Sequence, residues 1–334
     1  MIDVTRILAL GVVTLALGMA GAQAQDKVTY GTNWVAQAEH GGFYQAVADG
    51  TYAKYGLDVT IRQGGPQIAG QSLLMSGQID FYMGGSSSAI NGVAEGVPMV
   101  AIAAIFQKDP QILLAHPDAG FETFADLQKA SKAFISAEAT TSFWAWMKSA
   151  YPGFTDEQLV PYTFNPAPFI ADKMSIQQGY VTSEPLAVEK AAGFKPKVFL
   201  LADNGYEPYS TTITAMKPWL DGHKDIAKRF VEASIIGWYH YLYGDNKAAN
   251  EMIKKENPEM TDELIAFSIE QMKANGIAVS GDAVDKGIGC MTDARWQSYY
   301  ELGAKIGMFK AGLDIKPAYD TEFVCQGLGT ELAK

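Results

Sequence analysis

A strand–helix–strand pattern near the start of the chain constrains the fold more than any other feature. Residues 28–33 read as a strand, a helix starts near Phe43, and residues 57–61 alternate as a second strand. Gly41 and Gly42 precede the helix, where they would permit a turn or a close approach to a ligand. In open α/β sheets, ligands bind beyond the carboxyl ends of the strands. This part of the chain therefore predicts an α/β fold with a ligand-binding edge after the first strand.

The same alternation of strands and helices continues to residue 216, and amphipathic helices fill the chain from residue 225 onward. Two turn-rich segments interrupt the pattern, and there we place crossings between two lobes, at 108–111 and 205–211. We expect two α/β lobes and a helical C-terminal extension on the first of them. The predicted boundaries are 25–108 with 211–334 for lobe I, and 109–210 for lobe II.

The first 24 residues have the composition of an export signal. Arg6 precedes an apolar run at 7–20, and Ala22-Gln23-Ala24 supplies small residues for cleavage. A membrane anchor is the alternative, but the run is shorter than the roughly 20 residues that a spanning helix needs. We therefore expect a signal peptide at 1–24 and a periplasmic mature chain.

Composition argues against two classes of function. The formal net charge is −11, and only three arginines follow the predicted signal peptide, so clustered phosphate contacts to nucleic acid are not expected. The four histidines are scattered and have no metal-ligand spacing. We expect no metal site from His40, His116, His223 and His240.

Two cysteines near the C-terminus are expected to pair. Cys290 and Cys325 are flanked by glycines, and an exported protein folds in an oxidising compartment. Two buried free thiols are the alternative. Redox catalysis lacks support because the chain has no C-x-x-C motif.

The stretch at 33–67, NWVAQAEHGGFYQAVADGTYAKYGLDVTIRQGGPQ, resembles the NMT1/THI5-like family. Members are solute-binding proteins of bacterial ABC importers, and the resemblance extends over roughly residues 28–245. It implies a two-lobed periplasmic-binding-protein fold of type II, whose cleft closes on a ligand by hinge motion. It also implies a small-molecule ligand, an ABC permease in the inner membrane as partner, a monomer and no cofactor.

In lobe I, three loops at predicted strand ends supply candidate ligand contacts. The first could offer an indole for stacking and polar groups, although core packing and helix capping are the alternatives. The second resembles a cleft-lining loop of the family. The third starts a helix whose N–H groups and hydroxyls would suit an anion, unless they only cap the helix. The candidates are Trp34, Glu39 and His40, then Gly64 and Gly65, then Ser86 and Ser87.

In lobe II, two more segments supply candidates. We expect a helix from 141 to 150 with Thr140 and Thr141 at its start. Trp144 and Trp146 are two residues apart and cannot share one helical face, so only one should point toward the cleft, and Trp144 is the candidate. A strand at 179–182 is expected to place Tyr180 and Glu184 at the cleft. Helix capping is the alternative role for Glu184.

Together these residues favour a planar ligand that donates hydrogen bonds. The best match among the family's ligands is an aminopyrimidine of the thiamine-precursor type, while riboflavin, aromatic carboxylates and alkanesulfonates remain alternatives. Fungal relatives of the family are enzymes that make the thiamine pyrimidine and use pyridoxal phosphate. They carry clustered cysteines that this chain lacks, so we expect a binding protein rather than an enzyme.

Overall fold

The computed structural model describes residues 24–65 and 67–333. The predicted signal peptide lies outside them, except for its last residue. Within the described residues the strands are β1 (Asp26–Gly31), β2 (Leu57–Arg62), β3 (Phe81–Gly84), β4 (Met99–Phe106), β5 (Gln111–Ala115), β6 (Lys132–Ile135), β7 (Leu159–Pro161), β8 (Ser175–Tyr180), β9 (Lys197–Leu200) and β10 (Ser210–Met216).

The α-helices of the described residues surround these strands. They are α1 (Gly41–Ala48), α2 (Thr51–Lys54), α3 (Gly70–Met75), α4 (Ser86–Glu95), α5 (Phe143–Ala150), α6 (Ala167–Ala171), α7 (Glu184–Ala192), α8 (Lys217–Gly222), α9 (Lys224–Tyr243), α10 (Lys247–Glu256), α11 (Asp262–Ala274), α12 (Ala283–Lys286) and α13 (Asp293–Lys305). None of the described helices is both long and apolar enough to span a bilayer.

The strands form two five-stranded sheets. The first has the order β2-β1-β3-β10-β4, and the second has the order β7-β6-β8-β5-β9. In each sheet one strand runs against its neighbours: β10 is antiparallel to β3 and β4, and β5 is antiparallel to β8 and β9. We call the first sheet with its helices lobe I and the second sheet with its helices lobe II. Since β10 returns to the first sheet, the chain passes between the sheets twice, at 107–110 and at 201–209.

Helix α1 packs closely on α9 because glycines face the contact. A Cβ atom on Gly42 would lie 2.2 Å from the Trp238 ring, and one on Gly41 would lie 2.0 Å from the Tyr241 ring. Gly237 on α9 faces the Gly42 carbonyl in the same contact. The glycine pair therefore permits helix packing beneath the cleft rather than a turn or contact with a ligand.

We expect Gly42→Ala to lower the free energy of unfolding by about 1–3 kcal/mol, because the added methyl must displace the fully buried Trp238 ring. Gly222→Ala is the matched control, since no atom lies within 4 Å of a Cβ at that helical position. Alanine there should be neutral or stabilising. Urea denaturation of both variants measures the difference, and equal stabilities would refute the packing role.

The C-terminal extension touches both lobes. In lobe I, the Ala104 N–H of β4 donates to the Gly289 carbonyl of the extension over 2.9 Å. The Ser268 hydroxyl on α11 donates to the Thr182 carbonyl of lobe II over 2.8 Å, and Lys190 on α7 pairs with Glu263 on α11 at 2.6 Å. Further along, a disulfide joins Cys290 to Cys325, whose Cα atoms are 4.5 Å apart. The extension thus bridges the lobes and is itself crosslinked.

Candidate functional site

A cleft of about 580 Å³ lies between the two lobes. Lobe I contributes the loop after β1, the end of β4 and the start of β10, while lobe II contributes the start of β5 and the segment from β8 into α7. Among its lining residues are Trp34, Gln37, Glu39, His40, Gly65, Ile68, Tyr82, Phe106, Gln111, Ser136, Phe164, Gln178, Tyr180, Ser183 and Glu184. Six of the predicted site residues therefore line it: Trp34, Glu39, His40, Gly65, Tyr180 and Glu184.

Two glutamates from opposite lobes face this cleft. Glu39 is 5% exposed, and its Oε1 accepts a hydrogen bond from the Thr182 hydroxyl of lobe II. Burial raises the pKa of the Glu39 carboxyl, the Thr182 hydrogen bond opposes that shift, and nearby Glu184 adds a smaller repulsion. One carboxylate therefore already links the lobes, and it is poorly solvated.

Glu184 lies at the start of α7 and is half-buried, because part of its side chain borders the open cleft. Its Oε2 accepts hydrogen bonds from the Tyr180 N–H at 2.7 Å and the Ser183 hydroxyl at 2.5 Å. The surrounding protein nevertheless raises the pKa of the Glu184 carboxyl through burial. Because these hydrogen bonds hold the group in place, Glu184 presents a fixed acceptor to the cleft.

Unpartnered polar atoms lie beside the two carboxylates. Within the described residues, His40 Nδ1 and Gln111 Oε1 are buried and have no hydrogen-bond partner. Burial lowers the pKa of the His40 imidazole to about 3, so the ring is neutral at physiological pH. A buried polar atom without a partner is unfavourable, and a ligand can satisfy it. None of the described lining residues is a lysine or an arginine.

Aromatic rings form the apolar walls of the cleft. Trp34 of lobe I and Phe164 of lobe II have ring centroids 6.1 Å apart, with planes tilted by 40°. Phe164 is 63% exposed and has a φ of 62°, which is unusual for a bulky residue. Tyr82, Phe106 and Tyr180 complete the aromatic lining. A flat ligand would bury these faces.

The start of α4, predicted as an anion site, is already occupied by the protein itself. The Ser86 N–H and hydroxyl both donate to the Tyr209 carbonyl, at 3.0 and 3.1 Å. Ser87 exchanges a hydrogen bond of 2.7 Å with the Tyr299 hydroxyl. Neither serine is among the cleft-lining residues. The prediction for Ser86 and Ser87 is corrected, because a backbone carbonyl fills the position that an anion would take.

Four other predicted contacts also lie away from the lining. Trp144 is fully buried, and its indole N–H donates to Asp156 over 2.9 Å, so it packs in lobe II. Its neighbour Trp146 is buried as well. Helix α5 begins at Phe143 rather than 141, so a 3₁₀ turn holds Thr140 and Thr141, and Gly64 packs on the backbone of 32–34.

Sequence reasoning missed several lining residues. The second sheet's edge strand is Leu159–Pro161, so Phe164 belongs to the loop that follows this strand and faces the cleft. Gln111 begins β5 directly after the first crossing. The turn signal at 108–110 marked its position, but nothing in the sequence showed which way its side chain points.

No group of three or more metal-ligating side chains comes together within the described residues. What the geometry offers instead is a set of hydrogen-bond acceptors, one neutral imidazole and several aromatic faces. Such an arrangement suits reversible binding of a flat, donor-rich molecule.

Known proteins resemble this chain over most of its length. A riboflavin-binding protein, RibY, of Chloroflexus aurantiacus is 20% identical over 322 residues, covering 90% of this chain and 87% of that protein. The alkanesulfonate-binding protein SsuA from Xanthomonas axonopodis, solved with MOPS bound, aligns with a TM-score of 0.63 at 12% identity, covering 90% of this chain and all of that one.

A second solved structure shows that the fold also serves an enzyme. The desulfurization enzyme DSZB aligns with a TM-score of 0.58 at 12% identity, covering 90% of this chain and 97% of that one. These likenesses confirm the predicted two-lobed periplasmic-binding-protein fold with its helical C-terminal region.

The family is established by a separate comparison. The model of the family described as NMT1/THI5 like matches residues 37–249, which is more than half of the chain. The matched range includes Glu39, His40, α1 and both crossings. The resemblance seen in the sequence is thereby confirmed, and the chain belongs to the NMT1/THI5-like family.

Proposed function

We propose that the protein is the periplasmic solute-binding component of an ABC importer, and that its ligand is a planar nitrogen heterocycle of the aminopyrimidine type. Family membership and the two-lobed fold support the transport role, which brings a membrane permease as the partner. The observation that carries the ligand class is the pair of glutamates, Glu39 and Glu184, in a cleft whose described lining residues include no lysine or arginine.

Ring N–H and amino groups match this cleft because two carboxylates and a buried amide oxygen without a partner line it. Glu39, Glu184 and Gln111 Oε1 can each accept hydrogen bonds, and a protonated heterocycle would also offset the buried negative charge. Trp34 and Phe164 provide faces on which a flat ring can lie.

The same features disfavour anions. A sulfonate or a carboxylate would meet two carboxylates without a balancing cation, and like charges in a desolvated site repel strongly. Ser86 and Ser87 at the α4 N-terminus are not among the cleft-lining residues, and the Ser86 N–H already bonds the Tyr209 carbonyl. We propose that this cleft does not share the ligand class of the sulfonate binder.

We propose that binding, not catalysis, is the function. The two cysteines are joined in a disulfide, so neither offers a thiolate nucleophile. Capture needs only that ligand and closed cleft complement each other, which the two-lobed architecture allows.

A thermal-shift screen of the mature chain, residues 25–334, tests the ligand class. Aminopyrimidines should raise the melting temperature because they bind only the folded state, whereas alkanesulfonates and aromatic carboxylates should not. Thiamine and riboflavin complete the panel. A shift produced by a sulfonate alone would refute the proposed ligand class, and a shift produced by riboflavin alone would redirect it to flavins.

We expect Trp34→Ala to weaken binding of the active compound by roughly 2- to 10-fold, since an aromatic contact contributes about 0.5–1.5 kcal/mol. Its ligand-free melting temperature should stay near wild type. Trp219→Ala is the matched control, because Trp219 packs against Phe81 and His223 in lobe I away from the cleft. That variant should lose stability and keep its affinity. Calorimetry beside thermal melts separates the two, and the opposite pattern would exclude Trp34 from the site.

A further inference from the structure

The two crossings run side by side behind the cleft, and their relative position determines how the lobes meet. The first crossing, 107–110, links β4 to β5, and the second, 201–209, links β9 to β10. Asp109 on the first crossing accepts hydrogen bonds from the Gln111 N–H at 2.9 Å and from Ser210, the β10 residue that directly follows the second crossing. Lys108 and Asp203 also pair across them at 2.6 Å, but this pair is exposed and contributes little.

A single side chain from the C-terminal extension binds both crossings. Arg295, in the first turn of α13, donates from Nη2 to the Gln107 carbonyl of the first crossing. It also donates from Nε to the Glu207 carbonyl and from Nη2 to the Pro208 carbonyl of the second, both over 3.3 Å. The guanidinium carbon lies 4.2 Å from the centre of the Tyr209 ring.

This contact set requires an arginine. Three carbonyls on two separate segments are reached by one planar group with several donors in fixed directions, which a lysine ammonium lacks. Within the described residues no carboxylate lies within ion-pair distance of Arg295, and its direct contacts are the three carbonyls and the Tyr209 ring. Its side chain does not line the cleft.

The segment that carries Arg295 is itself docked on the first crossing. The Gln107 and Lys108 N–H groups donate to the Ile277 carbonyl at 2.7 and 3.1 Å. The Gln107 side chain donates to the Cys290 carbonyl at 2.8 Å. The segment that leads into α13 is therefore held against the first crossing by these hydrogen bonds, so the backbone that carries Arg295 is fixed in position.

We propose that Arg295 is a positioning residue for ligand capture, which fixes the spacing of the two crossings and so confines lobe II to one path of closure. The inference goes beyond the proposed function, because it concerns the lobes and holds for any ligand. Hinge closure needs a few residues that bend while the rest stays rigid. By binding the carbonyls of 107, 207 and 208, the arginine keeps these residues of the two crossings rigid. Bending is then confined to the residues that lie between them and lobe II.

The test measures the distance between the lobes in the ligand-free mature protein. Spin labels on the exposed positions Glu95 of lobe I and Lys195 of lobe II report a distance distribution by pulsed electron paramagnetic resonance. Wild type should give a narrow distribution. Arg295→Met should broaden it, because each crossing can then move without the other.

Arg229→Met is the matched control. Arg229 also donates to two backbone carbonyls, those of Tyr55 and Gly56, and it pairs with Asp26 and Asp225, but all of these partners lie in lobe I. Its loss should lower stability and leave the distribution narrow. A wild-type width in Arg295→Met, or equal broadening in Arg229→Met, would overturn the proposal.

Arg295→Lys keeps the charge and guards against a methionine variant that does not fold. Lysine can reach only one crossing at a time, so its distribution should be wider than that of wild type. A folded Arg295→Lys protein with the wild-type width would also overturn the proposal. None of these outcomes depends on identifying the ligand, so failure here is distinguishable from failure of the proposed function.

Discussion

Replacing Glu39 with glutamine should make the ligand-free protein more stable at neutral pH and make it bind its ligand less tightly. Burial raises the pKa of the Glu39 carboxyl above its unfolded value, so ionisation is harder in the folded state. The stabilisation linked to the protonated form is present below the unfolded pKa and is lost as pH rises through the folded one. Glutamine stays neutral at every pH and can still accept the hydrogen bond from the Thr182 hydroxyl. The variant therefore does not lose stability as the pH rises.

For binding, the same change removes a buried charge that faces the ligand. We expect a loss of about 2–3 kcal/mol, on the order of 100-fold in affinity for the compound found by the screen. Urea denaturation between pH 4 and 8 and calorimetry measure the two effects. Glu259→Gln, at an exposed site outside the cleft, is the control and should change neither. A variant that is less stable and binds normally would assign Glu39 a structural role.

Removing the disulfide should cost about 4 kcal/mol of unfolding free energy. Cys290 and Cys325 are separated by 35 positions, and crosslinking a loop of that length restricts the unfolded chain by this amount in the chain-entropy model. The double variant Cys290→Ala with Cys325→Ala avoids leaving a polar group at the fully buried Cys290 site. Its denaturation midpoint should fall accordingly.

Reduction gives an independent comparison. Wild type in excess dithiothreitol should match the double alanine variant, whereas the reductant should not affect the variant itself. Thiol titration of denatured, unreduced wild type should find no free thiol. Two titratable thiols per chain would show that the bridge is absent from the protein as made.

The fold was largely predictable because its signals are local. Alternation in β2, helical periodicity in α9, and turn residues near 108 and 205 depend only on neighbours in the chain. Trp34, Glu39 and Glu184 line the cleft near strand and helix ends, which is where α/β folds put ligands, and their contact with a ligand stays a prediction.

The errors concern contacts between distant segments. Nothing near Ser86 indicates that the Tyr209 carbonyl, 123 positions later, caps its helix. Trp144 was predicted to face the cleft, but its side chain is buried in lobe II, where its N–H donates to Asp156, 12 positions later. Likewise Arg295 gave no signal, because its partners are backbone carbonyls, which every residue has.

The carbonyl of Tyr209 at the start of α4 bears on how ligand preference can diverge within this fold. If the proposed ligand class is right, a descendant of this chain that captured an oxyanion at this helix end would need to move the Tyr209 carbonyl and with it the second crossing, and it would also need a cation in the cleft. Substituting cleft residues one at a time cannot do both. A change from one donor-rich heterocycle to another needs only different side chains around Glu39 and Glu184. We therefore expect ligand preference to change often among such heterocycles during evolution and rarely from a heterocycle to an anion.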